Sequence, residues 1–230
     1  MGNTSQIYAE GSHRIGNATA VNVTISKGSN TVAGTILYSP STPEEIRHGE
    51  KFIGRYLSGM NPNITALFHN DSFPGNPELS SALTGFNITL PVPTIHLKDP
   101  EDSESDTTSP FIRSATVHVL SRTAQFELYN PLSNAEILLA SLYANATYND
   151  DIIGSILEPD FNFPVLAGKE GYTTTDKIPL EVGTVGYEVI RRALGGELIV
   201  DAVADVVVHI GKWKGRVRYH GKGVGASVRL

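Results

Sequence analysis

Residues 126–157 read FELYNPLSNAEILLASLYANATYNDDIIGSIL, and this stretch decides the fold. Proline lacks an amide hydrogen and forces the residue before it into extended or turn geometry, so a strand over residues 123–129 has to stop at Asn130-Pro131. Beyond that turn, Leu138, Ala140, Leu142, Ala144, Ala146 and Tyr148 recur at every second position, which predicts a strand over 136–148 with its even face inward. Asn149-Asp150-Asp151 then predicts a hairpin turn into a partner strand over 152–157.

Downstream, a polar break at 168–171 precedes Thr173-Thr174-Thr175 and Ile178-Pro179-Leu180. Tyr187, Val189, Ile190 and Leu194 fall at helical spacing, with Arg191 and Arg192 near the end and Gly195-Gly196 as a stop, so one short helix is expected there. From 198 to 210 every even residue is apolar (Leu198, Val200, Ala202, Ala204, Val206, Val208, Ile210), while Asp201, Asp205 and His209 occupy the odd face. The density of valine selects a long strand over a helix.

The order of these elements, on FELYNPLSNAEILLASLYANATYNDDIIGSI and IPLEVGTVGYEVIRRALGGELIVD, resembles the type-2 late-embryogenesis-abundant, or water-stress-hypersensitive, domain. Within that family it is most similar to the lumenal C-terminal regions of fungal vacuolar-membrane proteins implicated in terminating autophagy. The resemblance covers roughly residues 111–230, and residues 13–98 resemble loosely the immunoglobulin-like repeat that precedes the domain. It implies an all-β chain of two immunoglobulin-like β-sandwiches in tandem, the second with one inserted short helix. It also implies a lumenal place at the vacuole membrane, a non-enzymatic role in regulating the end of autophagy through a protein partner or membrane lipid, and, as an alternative, lipid carriage.

Upstream, the periodicity is weaker. Strands are expected over 20–26 and 31–38 around the turn Lys27-Gly28-Ser29-Asn30, a helix over 44–57, a strand over 64–69, a helical turn over 78–83 and a strand over 86–92. Residues 99–110 carry Asp99, Glu101, Asp102, Glu104 and Asp106 among Ser, Thr and Pro, the composition of a linker between domains 13–98 and 111–230 or of a long solvated loop inside one sheet.

The chain has no cysteine, which removes disulfides and thiolate metal sites. Seven Asn-X-Ser/Thr sequons, at Asn3, Asn17, Asn22, Asn63, Asn70, Asn87 and Asn145, exceed the roughly two that this composition gives by chance, favouring glycosylation in the secretory pathway over ordinary Thr-rich strand sequence. No apolar run approaches the ~20 residues that span a bilayer, so a membrane anchor is expected outside this chain.

Catalytic and metal constellations are not expected. Asp150, Asp151, Glu158 and Asp160 lie at a turn and a strand end, where solvated carboxylates are ordinary, and calcium there needs more oxygen ligands than the spacing offers. The seven histidines show no metal-ligand spacing, and neither a nucleophile elbow nor a glycine-rich phosphate loop is present, so no cofactor is expected.

Two surfaces remain. Lys212, Lys214, Arg216, Arg218, His220 and Lys222 alternate with Trp213, Gly215, Val217, Tyr219 and Gly221, a one-sided cationic stripe if the segment is a strand. All 24 acidic residues precede it, so it reads either as a surface for anionic headgroups or polyanions or as charge that discourages edge pairing; an acidic domain with one basic strand is not a nucleic-acid reader. The second surface is internal: Leu138, Ala140, Leu142 and Ala144, with Ala202, Ala204 and Val206, would line an apolar groove for lipid or pack a closed core.

Overall fold

The computed structural model describes residues 3–9, 13–20, 34–92, 111–132, 134–167 and 172–230. In chain order these form β1 (Asn3–Ala9), β2 (His13–Ala20), β3 (Gly34–Tyr38), α1 (Pro43–Leu57), β4 (Asn63–Leu67), α2 (Pro77–Leu83) and β5 (Asn87–Pro91). There follow β6 (Ile112–His118), β7 (Thr123–Tyr129), β8 (Ile137–Tyr148), β9 (Asp151–Glu158), β10 (Phe163–Val165), β11 (Tyr172–Thr174), β12 (Ile178–Pro179), α3 (Thr184–Arg192), β13 (Glu197–Ile210) and β14 (Trp213–Arg229). Among the described residues the fold is all-β with three helices, the class read from the sequence. The expected linker 99–110, the polar break 168–171, the loop 27–30 and the part of the first expected strand beyond Ala20 lie outside the described residues.

Contacts divide the chain into two units, Met1–Phe52 with Asn61–Pro93, and Ile53–Met60 with Thr94–Leu230. The first holds an antiparallel sheet of order β3-β2-β1-β4-β5. Among the described residues its core holds buried Ile7, Ala9 and Ile15, with Tyr38, Phe52 and Ile64 packed on them. Helix α1 starts with a reciprocal cap, in which the Thr42 hydroxyl accepts from the Glu45 amide (3.2 Å) and Glu45 Oε2 accepts from the Thr42 amide (3.0 Å).

The second unit holds a sheet of order β10-β8-β13-β14-β6-β7-β11, with β9 also on β8 and β12 also on β7. Every pairing is antiparallel except β14 with β6, which is parallel. The sheet returns on itself, because Glu181, just beyond β12, exchanges both backbone bonds at 2.8 Å with Ser155 of β9. Curling a sheet until its edges meet removes the exposed edge and encloses one apolar face. Buried Ile153, Ile156, Ile178, Leu180, Leu198, Val200, Val224 and Val228 fill that interior.

Asn130 does more than precede a proline. It is buried, its Nδ2 donates to the carbonyls of Ala135 (2.8 Å) and Val165 (2.9 Å), and its Oδ1 accepts from the Leu132 amide (2.9 Å), so one amide ties the exit of β7 to the entry of β8 and to β10. The β8–β9 hairpin closes through Asn149 and Asp150, both at positive φ (50° and 67°), the two-residue turn whose twist suits a hairpin. Helix α3 meets β9 through Gly186, where a Cβ would fall onto the Ile153 carbonyl, and through buried Ile190 one turn on. The expected apolar stripe is therefore displaced: Tyr187 and Leu194 are exposed, and the close approach of Gly186 is what seats the helix.

Candidate functional site

An apolar interior and a cationic outer face

The inner face of β13 follows the even positions, with Leu198, Val200, Ala204, Val206 and Val208 buried. Its partner β14 carries the odd positions inward from Gly215 through Val217, Tyr219 and Gly221, then the even positions Val224, Ala226 and Val228. The change of phase is a bulge. Val200 pairs Val224 while Ala202 pairs Gly221, so β14 holds one residue more than β13, and Gly223 takes it up at φ +64° while its amide donates to Asp201 Oδ1 at 2.9 Å. Without the bulge one half of β14 would turn its apolar side chains to solvent.

A second bulge corrects the expected lining of the interior. Val207 pairs Ser141 but Val208 pairs Leu139, leaving Ala140 as the extra residue of β8. Above it the inward residues are Leu142, Ala144 and Ala146; below it they are Leu139 and Ile137, both buried. Leu138 and Ala140, expected inside with the other even positions, do not line the cavity, and Tyr148 ends the strand exposed.

Leu142, Ala144, Ala202, Ala204 and Val206 do converge, on an apolar cavity of about 120 Å³ inside the second unit. Of the described residues around it only Asn145, Thr175 and Tyr219 carry a polar side chain, and Asn145 holds an outward position of β8 between Ala144 and Ala146. Thr175 is buried, its Oγ1 accepting from the Phe126 amide at 3.0 Å, and Asn145 Oδ1 accepts from the Ser155 hydroxyl at 2.8 Å. The volume is slightly below the ~150 Å³ that takes up one benzene in an engineered core, so it matches a ring or a few methylenes rather than a whole acyl chain.

The outer face bears the charge. Lys212, Lys214, Arg216, Arg218, His220 and Lys222 are all exposed, five of them on one face of β14 at every second residue and Lys212 in the turn before it. Neighbours in register extend this face: Arg218 stands beside Asp205, Tyr143 and Leu157, and His220 beside Val203, Asn145 and Ser155. Tyr143 and Leu157 are 48% and 63% exposed. Ile53–Met60, which falls in this unit, meets the strand at its edge, where Ser58 Oγ accepts from the His220 amide at 2.8 Å.

The other sequence candidates scatter. Asp150 and Asp151 lie at the start of β9 and Glu158 and Asp160 at its end, about 20 Å apart along an eight-residue strand, so they form no pair. Among the described residues no group of three or more His, Asp or Glu is placed to hold a metal ion. His118, at the end of β6, has a buried Nε2 without a partner, and desolvation, then Lys177 and Arg229, hold its pKa below the usual histidine value. Of the sequons, Asn63, Asn70 and Asn87 are exposed, Asn17 and Asn145 are half-buried, and Asn22 lies outside the described residues. The sequon threonines Thr65 and Thr89 face each other across β4 and β5 with hydroxyls 2.8 Å apart, so both have a structural role as well.

The second unit thus presents, among the described residues, a mostly antiparallel sheet with an apolar interior and the short helix α3 set against β9. The sequence profile of the Tag1-like fifth LEA-2 like domain matches residues 104–218, half of the chain, and the chain belongs to that family. No curated protein sequence matches it at a significant level.

Proposed function

We propose that the chain is a non-enzymatic interaction module facing the lumen of a vacuolar compartment, where it contributes to regulating the end of autophagy through a surface contact. The observation that carries the reading is the division of chemistry in the second unit: the interior is apolar and small, while the cations of β14 stand in one row outside. Such a molecule offers a surface rather than a reaction chamber. The Tag1-like match and the sequons support the lumenal part.

One observation favours a second reading, lipid binding: five of the seven residues expected to line a groove do meet at the apolar cavity. An acyl chain needs that space to widen, so Ala144→Phe or Ala204→Phe should abolish uptake.

Native mass spectrometry with lipid extraction, on the chain purified from a glycosylating eukaryotic host, tests both. Glycans on a lipid-free protein support the interaction module. Stoichiometric lipid that disappears in the two Phe variants establishes the second reading instead, and a chain without glycan sinks the lumenal placement. Deleting residues 111–230 from the parent membrane protein should delay the end of autophagy, and an unchanged time course would remove the regulatory role.

A further inference from the structure

The geometry points to an anionic lipid bilayer as the partner of the outer β14 face, an inference that rests on reading this face as an interaction surface. Three features select a bilayer. From Lys214 to Lys222 the chain rises about 26 Å at strand spacing, which places five of the cations in one row along β14, one every 6–7 Å. A plane of anionic headgroups complements such a row without any matching pocket, and each cation held near it raises partition about fivefold.

The second feature is the rung of Arg218. Two strands over stands Tyr143, and next to it Leu157, exposed on the same face. An aromatic ring and an aliphatic tip gain from the interfacial layer of a bilayer, whereas a soluble polyanion in water gives no return on exposing them. The third feature is the charge distribution. Residues 1–210 carry twice as many acidic as basic groups, while residues 211–230 carry six basic groups and no acid, so attraction to an anionic surface favours presenting this face. Asp205, half-buried opposite Arg218, is the acidic side chain set directly in that rung, and it weakens the row locally without interrupting it.

Asn145 sharpens the inference. It shares a rung with Val203 and His220, so a glycan there would stand on the same face and hold it away from the headgroups.

The test is flotation of the full, unglycosylated chain with phosphatidylcholine vesicles, with or without phosphatidylserine. Binding is expected with the anionic vesicles alone, falling as salt rises. Lys214→Gln with Arg218→Gln should lower partition about 25-fold while the thermal transition stays in place, since both side chains are exposed. Tyr143→Ser should lower it further, and a chain glycosylated at Asn145 should not float. A double variant that partitions like the parent, or a parent that ignores anionic vesicles, overturns the inference. Soluble polyphosphate distinguishes the failures: if it binds through Lys214 and Arg218 while vesicles do not, the face remains an interaction surface for another anion. If the double variant ends autophagy on time in cells, the interaction reading itself fails.

Discussion

The two sheets of this chain solve the same problem differently. Among the described residues the five-stranded sheet ends at β3 and β5, and large apolar side chains stand in water there: Leu37 of β3 is 64% exposed, Leu90 of β5 53%, and Phe86, just before β5, 53%. The nine-stranded sheet brings β9 against Glu181, beyond β12, and buries valine, isoleucine and leucine of several strands around one interior. Closure, rather than apolar content, is expected to decide where stability resides: β5 carries Ile88 and Leu90, yet every one of its residues is exposed.

The largest expected contrast follows from that. Ile137→Ala, at a fully buried position of β8, should cost the second unit about 4 kcal/mol, whereas Leu37→Ala on β3 should stay within about 0.5 kcal/mol. Trp213 is the only tryptophan and starts β14, so its fluorescence in urea follows the second unit, while calorimetry registers both. Comparable losses would mean that closure does not separate the sheets.

Asn130→Ala should come next, at about 3 kcal/mol, because three hydrogen bonds are lost and two carbonyls and an amide are left without that partner. Gly186→Ala should cost about 2 kcal/mol. Its sign is the informative part, since on an exposed helix the same change stabilises by about 1 kcal/mol; a gain in the urea midpoint would show that α3 does not need its close approach to Ile153.

These residues also mark how far the sequence could be read. The strands β7, β8, β9 and β13 and the cationic row of β14 were legible, because period-two alternation and turn residues are local signals. The phase of β8 was not: Ile137-Leu138-Leu139-Ala140 is apolar at every position, so both registers bury something, and only pairing with β13 shows that Ala140 is the extra residue. β1 and β6, NTSQIYA and IRSATVH, mix Ser and Thr among few apolar residues and carried no alternation to read. The cavity was half legible. Its small residues lie on predictable faces, but the closing bridge joins Ser155 to Glu181 across a stretch of loops and short strands that no local pattern links.

The smallest expected effect lies in the first unit and tests whether its elements are secured by surface chemistry instead of burial. The pair Thr42 and Glu45, in the sequence Thr-Pro-Glu-Glu, is a capping signature at the start of α1. Glu45 Oε2 accepts from the amides of Thr42 and Ser41 and from the Ser41 hydroxyl at 2.7–3.0 Å, and these bonds, with the Thr42 amide foremost, lower the Glu45 pKa to about 2. A carboxyl whose pKa is depressed by folding contributes its stability in full above the unfolded value, near 4.5, and loses it as pH falls toward 2. Glu45→Gln should therefore cost less than about 1 kcal/mol at pH 7, since the neutral amide still accepts, and should flatten the stability of the first unit between pH 4.5 and 2. Calorimetry of parent and variant across that window measures the difference. An unchanged acid slope would mean that another carboxylate carries it, and that α1 is held by the packing of Phe52, in its second half, on Ile7, Ala9 and Ile15.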